Sequence, residues 1–267
     1  MNATTAPSTE NTSDLSLVLP GRTAPLGSGV TWISASWRLF VRAPAMWIIS
    51  IIVVFFCIIC ISLVPFLGQI AVNLLQPVIL AGFMLACHSL ERGGDFELDH
   101  LLGGFKKGFG NLVVVGLLFL VGEFVIVIIF IAFVAFSVGT TLLMSPEPEQ
   151  LWGAIMGAGL TFALGVLVAL ALFLPLLAAY WFAPVLVVMH GMPPLEAMKA
   201  SFFACFRNFW VYTVYSILLI PLAILAAIPV GLGYLVLAPV SIASIYVAYR
   251  EIFTEDTVVA APKPTFA

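Results

Sequence analysis

Few residues of this chain could do chemistry, and they are scattered. Glu123 stands inside a long apolar run with no Lys or Arg beside it. An ionisable group in hydrocarbon is expensive and marks a functional candidate. Gln69, Asn73 and Gln76 fall at i, i+4 and i+7, which puts them on one helical face. Counted along their helices, Gln76 and Glu123 come to similar depths, so a hydrogen bond between them is expected. Such a pair is either a proton- or ligand-linked polar site or a structural link between helices. Cys57-Ile58-Ile59-Cys60 has zinc or redox spacing, but its flanks are apolar and no second ligand pair exists, so packing is expected. His88, His100 and His190 lack ligand spacing and are expected to be solvated at helix ends. Asp95, Glu97 and Asp99 suit the first turn of a helix, where acidic groups meet the dipole. No phosphate-cradling GxxxxGK[ST] loop, HExxH or GxSxG turn occurs. These residues predict a protein that is not an enzyme and uses no cofactor and no metal.

The elements that must carry these residues follow from composition. Of 267 residues, 63 % are hydrophobic and only 9 % charged, and the mean hydropathy is +1.18. Soluble domains run near half apolar and a quarter charged. The chain is therefore read as an integral membrane protein, which excludes a nucleic-acid binder and a disulfide-stapled secreted domain.

The ten basic residues leave three basic-free stretches, 43–91, 108–198 and 208–249. One crossing takes about 20 apolar residues, so the first and third must fold back. Turn signals stand at Pro65-Phe66-Leu67-Gly68 and Pro229-Val230-Gly231-Leu232-Gly233, and a polar break at Ser145–Gln150 divides the middle stretch. The spacing predicts spans over 46–65, 69–89, 111–137, 156–189, 209–228 and 232–250, with 151–158 either extending the fourth or forming an interfacial turn. The loops at 65–69, 145–150 and 229–233 carry no Lys or Arg. Positive charge stays cytoplasmic, so both termini are expected inside.

Three further segments, Trp32–Ala43, Asp95–Phe109 and Pro194–Phe209, have apolar residues at helical spacing with basic neighbours. They predict helices lying in the headgroup region. Each precedes an odd-numbered span, and Pro77, Pro175 and Pro239 recur in the even ones. The expected fold class is all-α: six transmembrane helices as three hairpins, each preceded by an amphipathic surface helix. Residues 1–30 are expected to form a disordered cytoplasmic tail, 31–253 a single membrane domain and 254–267 a second tail. Gly153, Gly157, Thr161 and Gly165 make a small-residue ridge suited to close helix packing. Trp32, Trp37, Trp47, Trp152 and Trp210 are expected at the membrane interfaces.

The run Trp32-Ile33-Ser34-Ala35-Ser36-Trp37-Arg38-Leu39-Phe40, Pro44, the turn Leu63-Val64-Pro65 and Gln76-Pro77…Ala81-Gly82 resemble an uncharacterised family of proteobacterial inner-membrane proteins. Ala183-Pro184-Val185 with Glu196-Ala197…Ser201-Phe202 is more loosely similar to the YciC-like proteins and to the membrane domain fused to some glycerophosphodiester phosphodiesterases. The resemblance covers about residues 31–253. It implies a six-helix protein of the bacterial inner membrane and supplies no catalytic residue. The function expected is that of a non-enzymatic interaction or membrane-organising protein. The alternative is a small transporter or lipid-handling protein using the polar site around Glu123. The expected partners are the lipid bilayer and a membrane protein or second copy, not nucleic acid.

Overall fold

The structure, a computed structural model, describes residues 16–144 and 151–255. Among them the chain forms the helices α1 (Ser28–Arg42), α2 (Pro44–Ser62), α3 (Leu67–Glu91), α4 (Leu98–Lys106), α5 (Phe109–Met144), α6 (Leu151–Trp181), α7 (Ala183–His190), α8 (Pro194–Arg207), α9 (Phe209–Ala227) and α10 (Tyr234–Phe253). Six segments are long and apolar enough to cross a membrane: Pro44–Ser62, Leu67–Glu91, Phe109–Ser137, Gly159–His190, Phe209–Ala227 and Tyr234–Phe253. The protein is an all-α polytopic membrane protein of three hairpins, each preceded by a short amphipathic helix.

The three units close into a ring. The surface helix α4 packs on α3, the last span of the unit before it, and α8 likewise packs on α6. The surface helix α1 has no preceding unit and packs on α10, the last span of the third. At the α3–α4 crossing the backbones meet. A Cβ on Gly82 would lie 2.5 Å from the Leu101 carbonyl oxygen, and one on Gly104 would lie 2.1 Å from that of Val78. The turns expected at Pro65–Gly68 and Pro229–Gly233 both reverse the chain, through Phe66 and through Val230 and Gly231 at positive φ.

The core gathers at one end, where the charged residues and the surface helices lie; we call this end the basic face. Burial of the spans shows it: 44 % of the most apolar window of α3 and 56 % of that of α10 is covered by protein, against 6 % in the segments of α5 and α6. Trp32, Trp47, Phe83, Phe182, Tyr246, Tyr249 and Phe253 fill this layer. Elsewhere the spans expose apolar side chains, as hydrocarbon permits.

Several expectations are corrected here. Residues 16–30, expected in a disordered tail, are ordered. Leu17 bridges Thr254, the Val18 and Arg22 amides donate to the carbonyls of Phe253 and Ile252 (2.8 and 2.7 Å), and α1 begins at Ser28. Asn208, 1 % exposed, holds this segment. It accepts from the Ala24 amide (2.7 Å) and donates to the carbonyls of Arg22 (3.0 Å) and Ala204 (2.9 Å). Thr254, placed in the C-terminal tail, is buried for the same reason. Residues 1–15, 145–150 and 256–267 lie outside the described residues. Trp32 and Trp47 are not interface anchors: both are buried, Trp32 donating to Glu251 (2.5 Å) and Trp47 stacking on Phe83. Trp37 and Trp210 are exposed, as interface anchors require. The helix extends back to Leu151, which settles the start of the fourth span as helical continuation.

The fourth span also breaks at Phe182, where one long helix was expected. Pro184 opens α7, and its ring and missing N–H disfavour the preceding turn. The hydroxyl of Ser201 sits in the break. It donates to the Ala178 carbonyl (2.6 Å) and accepts from the Phe182 amide (2.9 Å), the two groups an unbroken helix would pair. Ser201→Ala should therefore lower stability by about 1–3 kcal/mol through the orphaned backbone groups. Thermal unfolding in detergent measures it. An unchanged midpoint would mean that the helix re-forms directly and the hydroxyl is dispensable.

Candidate functional site

Glu123 and Gln76 are not joined. The backbone of α5 meets α3 at Gly116, where a Cβ would lie 2.7 Å from the Asn73 carbonyl oxygen. Glu123 is two further turns along α5, roughly 10 Å, and so stands level with the start of α3 rather than with Gln76. The depth count failed because α3 continues into the basic face, which moves its middle away from the middle of the bilayer. Asn73 turns back to the Gln69 carbonyl (3.1 Å). Glu123 is partly buried, and its electrostatic neighbour is Tyr180 of α6. The ring of Phe119, one turn before Glu123, packs on that of Tyr180 with centroids 4.6 Å apart.

Tyr180 also lines a partly open cavity of about 320 Å³ between α2, α3, α6 and α10. The last spans of all three units therefore meet around it. Its walls are apolar side chains apart from Gln76, with Tyr180 and Trp181 among the aromatic ones. The small-residue ridge on α6 plays a different part. Gly157 has no neighbour within 4 Å, Gly165 receives the rings of Phe133 and Phe130, and Thr161 bonds the Gly157 carbonyl (2.9 Å). Gly153 lies in the first turn of α6. The two described glycines thus admit side chains or nothing, not a second backbone.

A second polar cluster lies where the ends of α3 and α10 meet. Arg250 Nε is 3.3 Å from Glu91 Oε2, with side-chain exposures of 6 % and 11 %. The Tyr246 hydroxyl donates to the same Glu91 oxygen (2.5 Å) and is 3.0 Å from His88 Nδ1. Since the hydroxyl proton goes to Glu91, Nδ1 is the donor to Tyr246. His190, at the end of α7, meets the Tyr249 hydroxyl at 2.6 Å. His88 is buried and His190 partly so, where solvated histidines were expected. The repeat held a signal for this cluster: His88 follows Pro77 at the same spacing as Arg250 follows Pro239. Equivalent positions of two units thus meet at one point.

At the surface, Glu97 caps α4 and His100 returns the bond to the Glu97 amide (3.0 Å). Lys106 donates to both oxygens of Asp99 (2.6 and 2.8 Å) and holds that carboxyl below its ordinary range. Burial pushes the Cys205 thiol of α8 up to about 12, so the thiolate is scarce at neutral pH. Cys57 and Cys60 are exposed on α2, facing outward from the bundle. No group of three or more His, Cys, Asp or Glu gathers among the described residues.

The amphipathic helices α1, α4 and α8 share one layout, with three sectors in the same rotational order. One is buried in the core: Trp32, Ala35 and Leu39; Leu101 and Gly104; Ala197, Ser201 and Ala204. The next is apolar and open: Val30, Trp37 and Val41; Leu98, Leu102 and Phe105; Leu195 and Phe206, with Phe202 half-covered between them. The third is polar and exposed: Ser34 and Arg38; Asp99 and Lys106; Glu196 and Arg207. A helix in water needs one apolar sector. A helix lying beside a bundle at the membrane surface needs two, one for protein and one for lipid.

No protein-family model matches the chain, and no solved structure matches it. A "probable inner membrane protein" of Burkholderia thailandensis is 32 % identical over 248 residues, covering 85 % of this chain and 91 % of the relative. Identity at that level, over 85 % of this chain and 91 % of the relative, shows that the chain belongs to the family of that inner-membrane protein, as a multi-pass member with six apolar helices.

Proposed function

We propose that this is a non-enzymatic membrane-organising protein that gathers lipids of the cytoplasmic leaflet around α1, α4 and α8, with the basic face and both termini in the cytoplasm. The three-sector layout of those helices carries the proposal. Their open apolar sectors would enter the acyl layer, and Arg38, Lys199 and their basic neighbours would sit at headgroup level. All ten Lys and Arg avoid the loops at the opposite end, which supports the orientation. The likeness of Ala183-Pro184-Val185 to a step in YciC-like proteins and phosphodiesterase-fused membrane domains fits a membrane module without chemistry of its own. The Glu123-centred transporter is less favoured, because Gln69, Asn73 and Gln76 do not converge on Glu123.

A basic residue near an anionic surface contributes about 1 kcal/mol of attraction. In reconstituted vesicles, energy transfer from tryptophan to a dansyl-labelled anionic lipid should exceed transfer to a dansyl-labelled zwitterionic lipid. Arg38→Gln with Lys199→Gln should reduce that preference several-fold, as should high salt. Equal transfer to both lipids would contradict the proposal.

A further inference from the structure

The three hairpins differ in reach. The spans α2 and α9 have 19 residues each, whereas α5 has 36. Because α5 crosses α3 at Gly116 and Asn73, the turn at Pro65–Gly68 stands level with Glu123, and α5 runs on for about 30 Å past it. Over that extra length α5 exposes Phe124, Ile128, Ile131 and Phe136. Such side chains need hydrocarbon around them, so the hydrocarbon continues beyond the first turn. The surface helices give a second gauge. Helix α4 crosses α3 at Val78 and Gly82, and from there to Leu67 is about 17–22 Å of helix. Gly29 of α1 meets the backbone of Tyr215, and from there to the end of α9 is about 18 Å. The Ser201 hydroxyl of α8 bonds Ala178, about 40 Å from the start of α6. Hydrocarbon is about 30 Å thick. With the surface helices at one boundary, only the second hairpin is long enough to reach the other, and tilt would shorten the short ones further.

The chemistry of the two short turns agrees. Residues 63–68 and 228–233 include no polar side chain, and Phe66 is 88 % and Val230 97 % exposed. In a lipid-facing turn the backbone must satisfy itself. The amides of Leu63, Val64, Leu67 and Gly68, and those of Val230, Gly231 and Leu232, all donate to carbonyls of the same turn or of the helix end before it. Between α5 and α6 the sequence instead reads Ser145-Pro146-Glu147-Pro148-Glu149-Gln150.

We infer that acyl chains of the leaflet opposite the basic face cover the turns at 63–68 and 228–233, so that the first and third hairpins end inside the bilayer and only the second crosses it. The protein is then a wedge, broad at the basic face and narrow beyond the two turns. This deepens the membrane-organising reading and rests on it only in placing the surface helices at the boundary.

Depth tests it. In the full chain with its four cysteines replaced by alanine, single cysteines at Phe66, Val230, Gly157 and Phe206 are labelled with bimane in reconstituted vesicles. Gly157 has nothing within 4 Å and lies about 32 Å beyond Ala178, so it serves as the aqueous reference. Lipids brominated near the chain ends should quench the labels at 66 and 230 several-fold more than lipids brominated near the headgroup. Iodide, present on both sides, should quench at 157 and at neither turn. Iodide quenching at 66 and 230 equal to that at 157 overturns the inference. Iodide quenching at 206 would contradict the reading of the surface helices, while the turn labels still decide this one. Phe66→Asp and Val230→Asp should each cut the yield of folded protein several-fold, since a carboxylate in hydrocarbon is costly, and Gly157→Asp should not. Normal yield of both turn variants also overturns the inference.

Discussion

Arg250→Met is expected to destabilise the protein by about 3–5 kcal/mol. Arg250 is 5 % exposed and is the cation beside Glu91 at the junction of α3 and α10. Removing it leaves a carboxylate in a nearly dry layer with the Tyr246 hydroxyl bonded to one oxygen. A buried charge stripped of its partner costs far more than the intact pair contributes. Glu91→Leu alone should be comparably harmful, because it strands the guanidinium. The double variant Glu91→Leu with Arg250→Met should recover most of the loss, since two apolar side chains of similar volume replace a pair whose desolvation nearly cancels its attraction. Thermal unfolding of the four proteins in detergent completes the cycle. Additive losses in the double variant would show that the two charges do not act as a pair.

Gly82→Leu should be nearly as damaging, for a steric reason. The new Cβ would meet the backbone of Leu101, 2.5 Å from its oxygen and 2.7 Å from its Cα, and backbone cannot swing aside as a side chain can. The surface helix α4 must then lift from α3. The expected loss is about 3 kcal/mol, at the upper end for overpacked sites, and Gly104→Leu should match it from the other side. Gly110→Ala, where nothing lies within 4 Å, is the control and should be silent. If Gly82→Leu unfolds with the parent's midpoint, the crossing of α3 and α4 is not a fixed contact.

The spans and surface helices were legible because hydropathy and charge placement act residue by residue. Runs such as Ile48–Ile61 can only be satisfied in hydrocarbon or a deep core, and the basic residues cannot cross. What stayed hidden depends on which helices meet. Trp32 and Trp47 have the composition of interface anchors, and only the packing of α1 on α10 and of α2 on α3 turns them into core. His88 looks solvated until α10 brings Tyr246 to it. Depth counted from the start of each span placed Gln76 beside Glu123, and the crossing at Gly116 separates them. The break at Phe182 was signalled by Pro184, but its repair by Ser201, distant in sequence, was not.

The three-sector layout of the amphipathic helices is most directly tested by depth. With the four cysteines replaced by alanine, single cysteines at Trp37 and Phe206, in the open apolar sectors, and at Ser34 and Glu196, in the polar ones, are spin-labelled in reconstituted vesicles. Their collision rates with oxygen and with a water-soluble nickel chelate are then compared. Labels at positions 37 and 206 should favour oxygen, which concentrates in the acyl layer, and labels at 34 and 196 should favour the chelate. Chelate-dominated collisions at all four positions would contradict it, because the helices would then lie in water and could gather no lipid.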